Sequence, residues 1–189
     1  MAKKLYHSEQ RRILFKKLPK NSVCAELGVL YGQGSQLILS LTQPKKLHLI
    51  DPWVFQNHTP LHQETNQRRK VFGQKDLDKM YQDVLVRFNS LIQKEIVKVH
   101  RDYSDKTLSS FPDNYFDWVY IDGNHEYAFV KKDLDLCYLK VKPGGFITGD
   151  DYIKKPYFEG PIRAVDEFIQ SGHVKLIEFI GIQYFLQKI

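Results

Sequence analysis

Ser22-Val23-Cys24-Ala25-Glu26-Leu27-Gly28-Val29-Leu30-Tyr31-Gly32-Gln33-Gly34-Ser35 is the stretch on which the reading of the whole chain turns. Its first half is a short apolar run ending at a carboxylate, the pattern of a strand. Its second half is a turn with three glycines that leads into a helix at Ser35. Glycines let the backbone come close to a ligand, and the free amide groups at a helix start can hold a negative group. In open parallel sheets ligands lie beyond the carboxyl ends of the strands, so residues that follow strands carry the chemical reading.

Outward from that stretch, strand-like and helix-like segments alternate, which predicts a mostly parallel sheet with flanking helices. Residues 8–18 and 35–41 read as helices. Leu47 to Ile50 is a short strand stopped by Asp51 and Pro52, and residues 53–75 are polar and irregular. Leu77, Tyr81, Val84, Leu85, Phe88 and Ile92 then form a helical stripe. Ile96 to Val99 and Trp118 to Ile121 are strands, the second ending at Asp122. A helix capped by Asn124 runs to about Leu139, with Val130, Leu134, Cys137 and Val141 falling on one face, and Pro143, Gly144 and Gly145 break it. Phe146 to Thr148 is a strand ending at Asp150 and Asp151. Pro161 suits the first turn of a helix with Val165 and Phe168, and residues 174–180 and 182–186 read as a closing hairpin.

At 189 residues and 42% hydrophobic content the chain has the length of one α/β domain. Residues 1–189 are therefore read as a single domain, with 53–76 as a lid or substrate-selecting insertion. No long apolar segment occurs, and the start lacks the apolar run of a signal peptide, so the expectation is a cytoplasmic protein without membrane contact. Cys24 and Cys137 sit in apolar stretches without metal-type spacing and read as core residues. The net charge of +6 includes a basic cluster of Arg11, Arg12, Lys16, Lys17 and Lys20. Aromatic residues are not interleaved with it, so it reads as a solvated helix face rather than a nucleic-acid platform.

Asp51 follows the second strand 23 residues after Gly28, where a carboxylate can accept the hydroxyls of a ribose. That much fits a nicotinamide dinucleotide as well as S-adenosylmethionine. The dinucleotide fingerprint, read from Gly32, puts Leu37 where its third glycine belongs, so the E-x-G-x-x-x-G-x-G spacing weighs against a pyrophosphate.

Glu26-Leu27-Gly28 with Gly32 and Gly34, Ile50-Asp51-Pro52-Trp53, Tyr120-Ile121-Asp122-Gly123-Asn124-His125, and Lys142-Pro143-Gly144-Gly145 with Asp150-Asp151 together resemble class I S-adenosylmethionine-dependent methyltransferases. The likeness spans roughly residues 20–170. It is greatest to the branch of antibiotic-sugar O-methyltransferases and cephalosporin-hydroxylase-like proteins, with kinship to catechol O-methyltransferases. It implies a Rossmann-like three-layer α/β sandwich with a mostly parallel seven-stranded sheet in the order 3-2-1-4-5-7-6. It also implies that Glu26 and Gly28 line the methionine part of the cofactor and Asp51 its ribose, with Gly32, Gly34, Ser35, Trp53 and Asp122 among the cofactor-binding residues. The segment Arg101-Asp102-Tyr103-Ser104 falls at the adenine, with Asp102 accepting from its amino group and Tyr103 covering its face.

Asp122, Asp150 and Asp151 stand at the ends of two strands expected to be neighbours, and grouped like charges are costly without compensation. A divalent cation relieves that cost, and hard oxygen ligands suit magnesium. The resemblance supports the same metal set. Asp151 can join it only if the chain turns, because successive strand residues face opposite ways.

Methyl transfer to an alcohol needs the hydroxyl to lose its proton. A metal-bound oxygen and a base, His125 or Asp122 itself, would serve that end. His125 stands where catechol-type relatives carry a lysine, and its ordinary pKa of about 6.5 suits the task. His58, His62 and Glu64 suggest a second metal site, but Pro60 is read as breaking any helix that would align them, leaving a mobile loop. Trp53, Phe55 and Tyr157 are candidates for an acceptor pocket. The expected activity is metal-assisted O-methylation of a small-molecule hydroxyl, a sugar diol or catechol. The partners expected are that acceptor and at most a second copy in a homodimer. The alternatives are a nucleic-acid methyltransferase and a non-catalytic S-adenosylmethionine-binding protein.

Overall fold

The computed structural model describes residues 7–57, 60–155 and 158–189. In chain order the elements are α1 (His7–Lys17), β1 (Val23–Leu27), α2 (Gln33–Thr42), β2 (Lys46–Ile50), α3 (Pro60–Arg69), α4 (Gln74–Gln93), β3 (Val97–His100) and α5 (Ser104–Ser109). They continue as β4 (Phe116–Ile121), α6 (Tyr127–Lys140), β5 (Val141–Gly149), α7 (Glu159–Gln170), β6 (Val174–Ile180) and β7 (Gln183–Lys188). The seven strands form one sheet in the order β3-β2-β1-β4-β5-β7-β6, the order the resemblance implies. β1 to β5 run parallel, and β7 is antiparallel to both β5 and β6.

Strand residues alternate between two apolar layers, as the period of two demands. Cys24, Trp118 and Tyr120 face a core shared with Leu14, Phe15, Ile38 and Val84, so α1, α2 and α4 cover that side. Ala25, Leu27, Val119 and Ile121 face the other core with Leu108, Val130, Leu134, Val165 and Phe168, supplied by α5, α6 and α7. Cys24 and Cys137 are buried free thiols, one in each layer. Among the described residues no helix is long and apolar enough to cross a membrane.

Register positions the chemistry. Leu27 pairs with Ile50 on one side and Ile121 on the other, and Ile121 pairs with Gly149. Gly28, Asp51, Asp122 and Asp150 therefore leave the sheet in one row along its carboxyl rim. Strand order reverses beside β1, and the crevice such a reversal opens is where this class of sheet places ligands.

Two expectations need correction. The segment expected to be an irregular loop contains α3, and Pro60 is its first residue, where a missing N–H and a fixed φ favour a helix. Val141, expected on the face of α6, begins β5 instead. α6 ends at Lys140, and the chain passes into the strand ahead of Pro143.

Candidate functional site

A cleft of about 500 Å³ opens over the ends of β1, β2 and β4, a volume suited to a nucleoside-sized ligand. Gly28 is held there at φ 85°, and a Cβ at that position would collide with the Asp122 carbonyl. This glycine thus lets β1 and β4 close on each other. Asp51 braces the turn that follows. Its Oδ2 accepts the N–H groups of Val29 and Leu30, each at 2.9 Å, and its Oδ1 accepts the Trp53 N–H at 2.7 Å. A carboxylate has about four acceptor positions, so roughly one remains for a ribose hydroxyl. Trp53 is buried, with φ 45°, and its indole N–H donates to the Leu30 carbonyl at 2.9 Å, tying the turns after β1 and β2 together.

Glu26 is fully buried beside the first turn of α2. The Ser35 hydroxyl donates to its Oε2, and a Cβ on Gly34 would collide with its Oε1. Burial pushes the Glu26 carboxyl up to about 8, against the Ser35 hydrogen bond. A carboxyl group already sits where a helix start would hold an anion, which disfavours a pyrophosphate and favours a ligand with cationic groups.

Glu26, Gly28, Gly34, Asp51, Trp53, Tyr103 and Asp122 all line this cleft; Gly32, Ser35 and Asp102 do not. Gly32 is the left-handed residue before α2, Ser35 is turned onto Glu26, and Asp102 is exposed and accepts the Tyr103 N–H. Ser104, Asp133 and Phe129 line the end that Asp102 was expected to serve. The Ser104 hydroxyl donates to Asp133 at 2.6 Å, and burial pushes Asp133 up to about 6. Asp133 lies on the stripe of Val130, Leu134 and Cys137, and a carboxylate on an otherwise apolar face is the signal that marks it.

A second cleft of about 650 Å³ adjoins the first. His7, Arg11, Asp122 and His125 line both, as do Thr65 and Arg69 of α3, which lies over the junction. α3 is held by the Tyr31 hydroxyl donating to the Arg69 carbonyl and by the Asn66 amide donating to the Gln56 carbonyl. His62 lines the first cleft, within 3.9 Å of Glu126. Phe55 lines neither cleft, and His58 and Tyr157 lie outside the described residues.

At the junction the carboxylates sort into two groups. His125 Nε2 lies 2.7 Å from Asp151 Oδ2, and its ring stands 4.9 Å from that of Phe158. Burial alone would lower the His125 pKa; the hydrogen bond and charge of Asp151, with Asp122, outweigh it and hold the imidazole above its ordinary value. Asp122 and Asp150 instead converge on Arg11, whose Nη2 lies 2.5 Å from an oxygen of each. Burial, with Asp150 and Asp151 nearby, holds Asp122 above the usual carboxylate range despite Arg11. Asp150 is held below that range because His7 and Arg11 outweigh its burial. Arg11, expected on a solvated basic face, has a side chain only 16% exposed.

These contacts test the expected metal set. Asp150 Oδ2 meets Arg11 Nε at 3.1 Å, Arg11 Nη2 at 2.5 Å and His7 Nε2 at 2.5 Å. Its Oδ1 accepts the Gln183 amide at 2.5 Å and the Asp151 N–H at 2.8 Å. Those donors use the acceptor capacity of the group. Asp151 does turn, at φ 65°, but onto His125 rather than toward Asp122 and Asp150. Among the described residues no three His, Cys, Asp or Glu side chains converge as an ion requires. The residues present do not fit a divalent cation shared by Asp122, Asp150 and Asp151.

Residues 25–152 match a family model described as a methyltransferase domain. No curated protein matches the chain. Among solved structures, a provisionally named rRNA-methylase from Clostridium thermocellum is similar at a TM-score of 0.65 and 14% identity, over 100% of each chain. An S-adenosylmethionine-dependent methyltransferase from Aquifex aeolicus gives 0.62 and 14%, over 96% of this chain and 90% of its own. A provisionally named caffeoyl-CoA O-methyltransferase from Staphylococcus aureus gives 0.59 and 12%, over 95% and 80%. Identities this low establish a shared fold and leave the acceptor to be argued from the site.

Proposed function

The chain belongs to the methyltransferase-domain family, and from that premise we propose that it transfers the methyl group of S-adenosylmethionine to a hydroxyl oxygen of a small molecule, such as a sugar diol or catechol. The observation that carries the oxygen reading is the pairing of His125 with Asp151 where the two clefts meet.

Glu26, Gly28, Asp51, Trp53 and Asp122 would hold the cofactor, with Tyr103, Ser104 and Asp133 at the far end of the same cleft. Its carboxylates suit a ligand whose sulfur and amino group are both cationic. When bound, S-adenosylmethionine supplies an electrophilic methyl carbon. An alcohol is a poor nucleophile until a base begins to take its proton. With Nε2 on Asp151, the basic nitrogen of His125 is Nδ1, and the Asp151 carboxylate stabilises the imidazolium that results. The second cleft receives the acceptor, and α3 with the rest of residues 53–76 acts as the lid that selects it. Metal assistance has no part in this proposal, because the carboxylates expected to supply it are committed to Arg11, His7 and His125.

The test is transfer of label from tritiated S-adenosylmethionine in EDTA to a panel of sugars and catechols, with ribosomal RNA as a parallel arm. The proposal expects a methyl ether that survives mild base and disappears with His125→Ala. Label in RNA alone, or no product with any acceptor, would overturn it in favour of the nucleic-acid or non-catalytic reading.

A further inference from the structure

His7 and Arg11 are one helical turn apart and so share a face of α1. Leu14, Phe15 and Leu18 continue that stripe into the core, fixing the helix against the sheet. The guanidinium lies 5.8 Å from the centre of the Tyr120 ring, which also packs edge-on against Phe15 at 4.9 Å. The Tyr120 hydroxyl donates to Gln183 at 2.8 Å, and the Gln183 amide donates to Asp150. Arg11 is thus seated by an anchored helix over a buried, hydrogen-bonded floor.

Asp122 and Asp150 each place an oxygen 2.5 Å from the same Arg11 nitrogen. The Asp150 side chain is 1% exposed, so water cannot screen the pair, and a cation must lie between them for both to ionise. The planar, permanently charged guanidinium meets that need with directed donors, as a hydrated point charge does not. His7 adds a further donor to Asp150.

We propose that Arg11 is a built-in replacement for a divalent ion: a positioning residue that neutralises Asp122 and Asp150, holds the rim of β4 and β5 together, and makes cofactor binding and turnover independent of metal. The inference concerns the cation site itself and stands apart from the identity of the acceptor. It also assigns α1 a purpose, since withdrawing the helix would remove the charge and open the wall shared by both clefts.

The experiment is Mn2+ titration followed by electron paramagnetic resonance, on the full chain as wild type, Arg11→Gln and the double variant Arg11→Gln with Asp150→Asn. The wild type is expected to show no saturable binding up to about 1 mM, and EDTA to leave its melting temperature and its affinity for S-adenosylhomocysteine unchanged. Arg11→Gln is expected to gain a site about tenfold or more tighter than any in the wild type, lost again in the double variant. Should Arg11→Gln fail to fold, the wild-type titration and the EDTA comparison decide alone. Stoichiometric Mn2+ binding by the wild type, a wild-type melting temperature or S-adenosylhomocysteine affinity that EDTA lowers, or a folded Arg11→Gln that gains no site would overturn the proposal.

Discussion

Asp151 follows β5 with φ 65° and has its Oδ2 2.7 Å from Nε2 of His125, while its neighbour Asp150 meets Arg11. A left-handed residue after a strand carries strain of order 1–3 kcal/mol. Here it separates two adjacent carboxylates into different tasks. Asp151 holds the imidazole above its ordinary pKa against the effect of burial. If His125 is the base, turnover should rise with pH along a limb whose midpoint lies above about 6.5. Asp151→Asn should move that midpoint down, and His125→Ala should cut kcat about a hundredfold or more with cofactor affinity nearly unchanged. A limb unmoved by Asp151→Asn would remove His125 from the role.

Glu26 links the cleft over β1, β2 and β4 to folding stability. Its carboxyl titrates at about 8 in the folded chain against an ordinary 4.5. Between those values the folded state binds more protons than the unfolded state, so the group's contribution is full below about pH 4.5 and is lost as pH rises through about 8. Glu26→Gln cannot ionise. Relative to it, the wild type should lose stability between about pH 4.5 and about pH 8, read from urea midpoints. A cationic ligand group beside Glu26 should release a proton on binding near neutrality, seen as a calorimetric enthalpy that changes with buffer. Parallel stability curves for the two proteins would show that Glu26 is not held protonated.

Gly28 is required by two backbone facts, its positive φ and the Asp122 carbonyl that a Cβ would strike. Gly28→Ala should cost about 3 kcal/mol or more in denaturant unfolding, from steric strain together with the left-handed conformation. Gly73→Ala, where extended backbone and open space await the methyl, should cost less than about 1 kcal/mol. Equal costs at the two positions would mean that β1 and β4 do not close on Gly28.

The rim was legible in the sequence because each strand ends in the residue that carries the chemistry, and parallel register then aligns those ends without further information. Glu26, Asp51 and Asp122 reach the cleft for that reason. Arg11 was not legible as a site residue. Grouping it with Arg12, Lys16, Lys17 and Lys20 sorts residues by charge, whereas the helix sorts them by face, and Arg11 shares its face with His7, Leu14 and Phe15. Long-range pairing decided the fate of the carboxylates: Asp150 lies 139 residues from Arg11, and no local pattern reveals that contact. Pro60 misled for a local reason, since the residue that ends a helix from within can also begin one.

Calorimetric titration of S-adenosylhomocysteine and of NAD into the wild type and Asp51→Ala bears most directly on the claim that the row of Gly28, Asp51 and Asp122 forms an adenosyl-sulfonium site. One S-adenosylhomocysteine should bind per chain and NAD should not, with an affinity lowered about tenfold or more by Asp51→Ala, which loses three hydrogen bonds that shape the turn. Binding of NAD alone, or S-adenosylhomocysteine binding indifferent to Asp51→Ala, would contradict that claim.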